Sequence, residues 1–143
     1  MLFPLINPKS RRAVRKTRRR AAAVVELAVV LPIFVLIVLG TIEACSMIFL
    51  QQSLKIAAYE GARTSIVPKS NFGNVEFAAK RILDGRRVKS YSVAIIPSNF
   101  QSQPYGTFIR VRVQASCDAN SLFASMFYRG KTMVADVEMM KEH

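Results

Sequence analysis

In 143 residues, 51% of them hydrophobic, 21 basic side chains stand against 9 acidic ones, with only 6 Gly and 6 Pro. That is one domain's length at most, too apolar for a disordered chain and too poor in Gly and Pro for a low-complexity one. The net charge of +12 is unevenly laid out, with 8 basic residues in the first 20 positions and none from 21 to 50, which is the layout of a membrane protein and argues against nucleic acid as a partner.

The leader comes first. Arg11, Arg12, Arg15, Lys16, Arg18, Arg19 and Arg20 form a block that stops where an apolar run begins, and we read it as a topology signal. By the positive-inside rule it holds the N-terminus in the cytoplasm and sends the residues beyond about 45 outward.

The run itself, AAAVVELAVVLPIFVLIVLG, is apolar apart from Glu26. About 20 helical residues cross the hydrocarbon core, so one spanning helix fits. It is longer than the apolar core of a cleavable secretory signal, and no small-residue cut site follows it, so the segment is expected to stay in the membrane. Pro32 removes one helical hydrogen bond and is expected to kink the span. An acidic side chain at the bilayer centre costs about 3 kcal/mol on insertion scales. Glu26 lies only a few residues past Arg20, within reach of the headgroups or of a cation.

Continued to about residue 63, the helix outruns the bilayer, and its upper part turns amphipathic. Leu50, Leu54, Ala57 and Gly61 line one face, and Glu60 and Arg63 are spaced to pair. VPKSNFG then breaks the helix. A second helix follows, with Asn74 as its expected cap, Val75, Ala78, Ala79, Ile82 and Leu83 on its apolar face, and Gly85 at its end.

Three strands are predicted, at 90–97, 107–116 and 131–140. In the second, Ile109, Val111, Val113 and Ala115 share a face and leave Arg110 and Arg112 on the other; in the third, Met133, Ala135, Val137 and Met139 leave Asp136 and Glu138. The opposed charges predict adjacent antiparallel strands with Arg110 near Glu138 and Arg112 near Asp136. Residues 118–130 form a long loop carrying Leu122, Phe123, Met126, Phe127 and Tyr128, read first as a lid on the core and second as a subunit contact.

These elements make an α+β fold. A long N-terminal transmembrane helix over about 22–63, kinked at Pro32, continues into a small outer domain of one helix packed on a three-stranded antiparallel sheet. The division is a basic cytoplasmic leader at 1–21, a transmembrane segment at 22–45, the outer part of the long helix at 46–66 and a small extracytoplasmic α+β domain at 67–143.

Enzymatic chemistry finds no inventory. The single histidine is His143, the last residue, and the glycines are scattered without a phosphate-binding spacing. Cys45 and Cys117 form no metal-binding spacing and are read as packed thiols. No enzyme activity, metal, cofactor or small-molecule substrate is expected.

RRRAAAVVELAVVLPIFVLIVLGTIE, with its basic block, small residues, V-E, apolar run and L-P, resembles the opening of TadE-like proteins, the pseudopilins of the tight-adherence (Flp, type IVc) pilus system. IAAYEGARTSIV, at 56–67, is similar to the Ala-rich E-G-A-R segment that the family carries after its span. The resemblance implies a class III signal peptide, cut by a prepilin peptidase on the cytoplasmic side between Ala21 and Ala22, with Glu26 as the fifth mature residue. It also implies an assembly role. The amine freed on Ala22 and the carboxylate of Glu26 on a neighbouring subunit would neutralise one another and fix register. Ala21 departs from the Gly that commonly precedes the cut in this family.

The resulting expectation is a minor pseudopilin in the bacterial inner membrane, single-pass, N-terminus cytoplasmic and C-terminal domain periplasmic, serving pilus biogenesis, secretion or adhesion. Its expected partners are membrane lipid, the prepilin peptidase and other pilins or pseudopilins. The alternative is an uncleaved single-pass envelope protein with a partner-binding outer domain.

Overall fold

The computed structural model describes residues 8–122 and 125–142, with side chains from residue 21 onward. The first seven residues of the leader, Phe123 and His143 lie outside the described residues. The apolar run and the sequence on both sides of it form one helix, α1 (Pro8–Ser65), with Pro32 inside it. This helix starts well before the predicted residue 22. The basic block contains no Gly or Pro, and Arg, Lys and Ala are strong helix formers, so nothing in it stops a helix. Pro8 occupies the first position, where a missing N–H costs nothing.

By packing, the chain divides into two units, Met1–Leu39 and Gly40–His143. In the first, every residue from Ala21 to Val38 is exposed.

The second unit contains the end of α1 and all the remaining elements: α2 (Phe72–Gly85), β1 (Tyr91–Ile96), β2 (Phe108–Ser116), the short α3 (Cys117–Asn120) and β3 (Thr132–Met140). The sheet is antiparallel throughout, in the order β1-β2-β3. Its register is the one the charges predict, Arg110 opposite Glu138 and Arg112 opposite Asp136. The Arg112 guanidinium grips both Asp136 oxygens, at 2.8 and 2.9 Å, and Arg110 pairs with Glu138.

One face of β2 (Ile109, Val111, Val113, Ala115) is fully buried against Leu54, Ala57, Ala58 and Ala62 of α1 and Val75, Ala79 and Leu83 of α2. Gly61 lets the three elements meet. A Cβ there would stand 3.1 Å from a Val111 methyl and 3.5 Å from Val75, so a larger residue would make Val111 give way by a few tenths of an ångström. The opposite face of the sheet carries the arginines and acids and meets solvent, as a half-buried antiparallel sheet does.

Three local readings are corrected. The cap of α2 is Asn71, whose Oδ1 accepts the Asn74 N–H at 2.8 Å, because the helix already begins at Phe72. Glu60 and Arg63 form no ion pair; the ion pairs among the described residues are the two on the sheet. Among its described residues the apolar loop is not a lid, since Leu122, Met126 and Phe127 are exposed and only Tyr128 packs against the core.

Candidate functional site

The residues singled out in the sequence lie on α1. Ala21, Ala22 and Glu26 occupy exposed helical positions. Glu26 follows Ala22 by four residues, which puts the two on one helix face. Arg11, Arg12, Arg15, Lys16, Arg18, Arg19 and Arg20 are helical in backbone, and their side chains lie outside the described residues. Pro32 stands among exposed apolar neighbours within the uninterrupted helix. By length and composition, α1 from Ala21 to Ser65 contains a candidate single membrane span.

Sequence reasoning missed Glu43. Its side chain is buried, and its carboxylate accepts the backbone N–H groups of three consecutive loop residues. Oε1 takes those of Met126, Phe127 and Tyr128 at 3.1, 3.1 and 3.2 Å, and Oε2 shares that of Phe127 at 3.3 Å. Converging N–H groups of this kind form an anion nest, and here the anion is the protein's own. Hydrogen bonds to an ionised acceptor are roughly twice as strong as neutral ones, which offsets the cost of burying the carboxylate. The result is a clamp that ties the apolar loop to the base of the second unit's helix. A signal was present in the sequence: Glu43 is the sole charged residue between Glu26 and Lys55.

Beside this clamp lies a groove of about 680 Å³ between α1 and the segment that leaves α2. The Arg86 guanidinium stacks over the Phe49 ring at 5.6 Å and donates to the Ser53 hydroxyl at 3.4 Å. Asn120 braces the groove's far wall, accepting the Lys89 N–H and donating to the Lys89 carbonyl, both at 2.7 Å.

A second cavity, of about 860 Å³, lies past the C-terminal end of α1, bordered by Ser65, Ser70, Phe100, Tyr105 and Lys141. The Lys141 ammonium is occupied there by the carbonyls of Phe100, Gln101 and Gln103. The Ser70 hydroxyl is buried without a hydrogen-bond partner. Cys45 and Cys117 are free thiols, exposed and buried respectively, and burial pushes the Cys117 thiol above its ordinary pKa.

The geometry defines an α+β protein with one candidate membrane span, whose apolar stretch from Ala21 to Val38 is exposed. Residues 21–63 match the family model for TadE-like protein, the family that the sequence resembles. The chain therefore carries a TadE-like segment, which suggests a protein associated with the Tad pilus. No curated protein and no solved structure matches the chain.

Proposed function

We propose that this chain is a minor pseudopilin of a tight-adherence (Flp, type IVc) pilus assembly system. In this reading a prepilin peptidase cuts between Ala21 and Ala22, and the mature protein acts in pilus biogenesis or adhesion, anchored in the inner membrane with its second unit on the periplasmic side. The TadE-like match over residues 21–63 carries the reading. Two physical features support it. The exposed apolar surface from Ala21 to Val38 needs a lipid or protein partner from outside its unit. Ala22 and Glu26 share the face on which an amine and a neighbour's carboxylate would meet.

One observation favours the second reading, an uncut single-pass anchor with a partner-binding outer domain. Helix α1 runs unbroken through Ala21 and Ala22, and a protease needs the scissile bond extended. The intact mass and N-terminal sequence of the membrane-extracted protein, with and without the host's prepilin peptidase, decide between the two. Peptidase-dependent loss of residues 1–21 is expected; a chain that keeps its leader under both conditions establishes the anchor instead.

A further inference from the structure

The groove beside Glu43 opens where the chain leaves the apolar unit. Thr41, one of its lining residues, stands three positions after Val38, so at most about 11 Å of chain separates the groove from the end of the exposed apolar run. If that run spans a bilayer, the Thr41 end of the groove lies close to where the chain leaves the hydrocarbon core.

Its lining has two parts. Ile42, Phe49 and Leu122 make an apolar wall, and Arg86, Arg87 and Lys89 supply positive charge, with no acidic residue among the lining residues. Three other carboxylates of this unit make hydrogen bonds outside the groove lining. Glu43 is held by three loop amides, Asp84 accepts the Tyr91 hydroxyl at 2.8 Å, and Asp118 accepts the Gly130 N–H at 2.8 Å.

The surroundings are as apolar as the wall. Leu122 is 73% exposed and Phe127 62%, on the loop that the Glu43 clamp holds, and Ile48 and Phe49 project from the helix alongside. Gly40 leaves room for the Phe127 ring, which would come within 3.4 Å of a Cβ at that position. Apolar side chains at such density are held out of water by a partner, and the position beside the span favours lipid over protein.

We propose that this groove is a membrane-docking site that takes an anionic phospholipid of the leaflet from which the second unit emerges. The headgroup phosphate sits against Arg86, Arg87 and Lys89, and the acyl chain lies along Ile42, Phe49 and Leu122. Leu122, Met126 and Phe127 enter the interfacial layer, and the Glu43 clamp sets their depth. Docking fixes the second unit against the membrane surface. The inference rests on the membrane-span reading of α1.

The chain contains no Trp, so single substitutions give unique reporters. The experiment uses full-length protein in nanodiscs of phosphatidylcholine with or without phosphatidylglycerol, carrying lipids with a quencher either near the headgroup or deep in the acyl chain. Phe34→Trp reports the span, Leu122→Trp the groove and Tyr105→Trp the cavity past the end of α1. We expect the reporter at 34 to be quenched by the deep label, that at 122 by the shallow label and more strongly with phosphatidylglycerol, and that at 105 by neither.

Each exposed cation near an anionic surface is worth about a fivefold change in occupancy. Arg87→Gln with Lys89→Gln, which leaves the stacked Arg86 in place, should therefore cut the phosphatidylglycerol-dependent occupancy about 30-fold. Quenching at 34 without quenching at 122 overturns the docking site while the span stands. No quenching at 34 overturns the span reading and the docking site with it. A reporter at 122 that is shielded from aqueous quencher yet untouched by the lipid labels would assign the groove to a second copy of the chain and overturn the lipid. Occupancy unchanged in the double variant overturns the headgroup assignment.

Discussion

The helix α1 passes through two environments within one unbroken element. From Ala21 to Val38 every side chain is exposed, while from Met47 to Ala62 one stripe is buried beneath α2 and the sheet. The same secondary structure is thus stabilised in two ways. The first stretch satisfies its backbone internally and leaves its side chains exposed, as a candidate membrane span does. The second is amphipathic, and tertiary packing supports it. Residue composition decides which applies, since large branched side chains surround the first stretch on all sides, whereas Ala57, Ala58, Gly61 and Ala62 let the second approach the sheet closely.

The sharpest way to break this contrast is to delete the same kind of atoms in each region. Leu54 is fully buried, and Leu54→Ala should destabilise the second unit by about 2–5 kcal/mol, the range for core cavities. Val30→Ala should leave that unit's denaturant midpoint in detergent unchanged. Equal shifts from both substitutions would mean that the apolar stretch and the packed unit unfold as one body.

Glu43 tests how the packed unit is joined to the base of its helix. Glu43→Ala strands three loop amides, and the expected cost is about 1.5–3 kcal/mol, near the value of one charged hydrogen bond, because water reaches part of the exposed loop. Glu43→Gln keeps an acceptor but loses the charge, and should cost less. Hydrogen exchange at Met126, Phe127 and Tyr128 should rise in both variants, more in the first. Unchanged protection would show that Tyr128 packing, rather than the carboxylate, holds the loop.

These two positions also show where sequence reading succeeds and stops. The sheet was legible to the level of its register because period-two alternation put Arg110 and Arg112 opposite Glu138 and Asp136, so charge and hydrophobicity gave the same answer. The buried stripe at Leu50, Leu54, Ala57 and Gly61 was legible for the same reason. The clamp was not, because the partners of Glu43 are backbone amides more than eighty residues away, and a backbone N–H leaves no trace in residue identity. Asn71 was missed in favour of Asn74 because both are good caps, and the choice depends on which turn closes first. The loop read as a lid because apolar composition alone does not tell that Leu122, Met126 and Phe127 face outward.

Tyr91 sharpens the comparison through pH, since it lies in the packed unit and its hydroxyl donates to Asp84 Oδ1 at 2.8 Å. Burial, then that hydrogen bond and the negative charge of Asp84, push its pKa up to about 12. The neutral phenol is therefore the form that the fold favours. The stabilising contribution is complete below the ordinary tyrosine value of about 10 and disappears as pH rises through about 12. An ultraviolet titration should show one tyrosine ionising near the top of the range, and Tyr91→Phe should remove that step. A titration with no late step would break the Tyr91–Asp84 contact.

The smallest effect is expected on the solvent face of the sheet, at Arg112 and Asp136. The Arg112 guanidinium, by its hydrogen bonds and charge, holds the Asp136 carboxyl below the usual carboxylate range. A depressed carboxylate pKa contributes stability above the unfolded value, near 4, and loses it as pH falls through the folded value, so the pair's contribution should vanish only under acid. Because both side chains are partly exposed, water screens the attraction, and the pair specifies register more than it adds stability. A double-mutant cycle with Arg112→Gln and Asp136→Asn should give a coupling smaller than the cost of either Leu54→Ala or Glu43→Ala, and one that fades with added salt. A coupling as large as the core effect would mean that this face of the sheet is covered in the working protein, which would make it a second surface for a partner beside the groove at the base of α1.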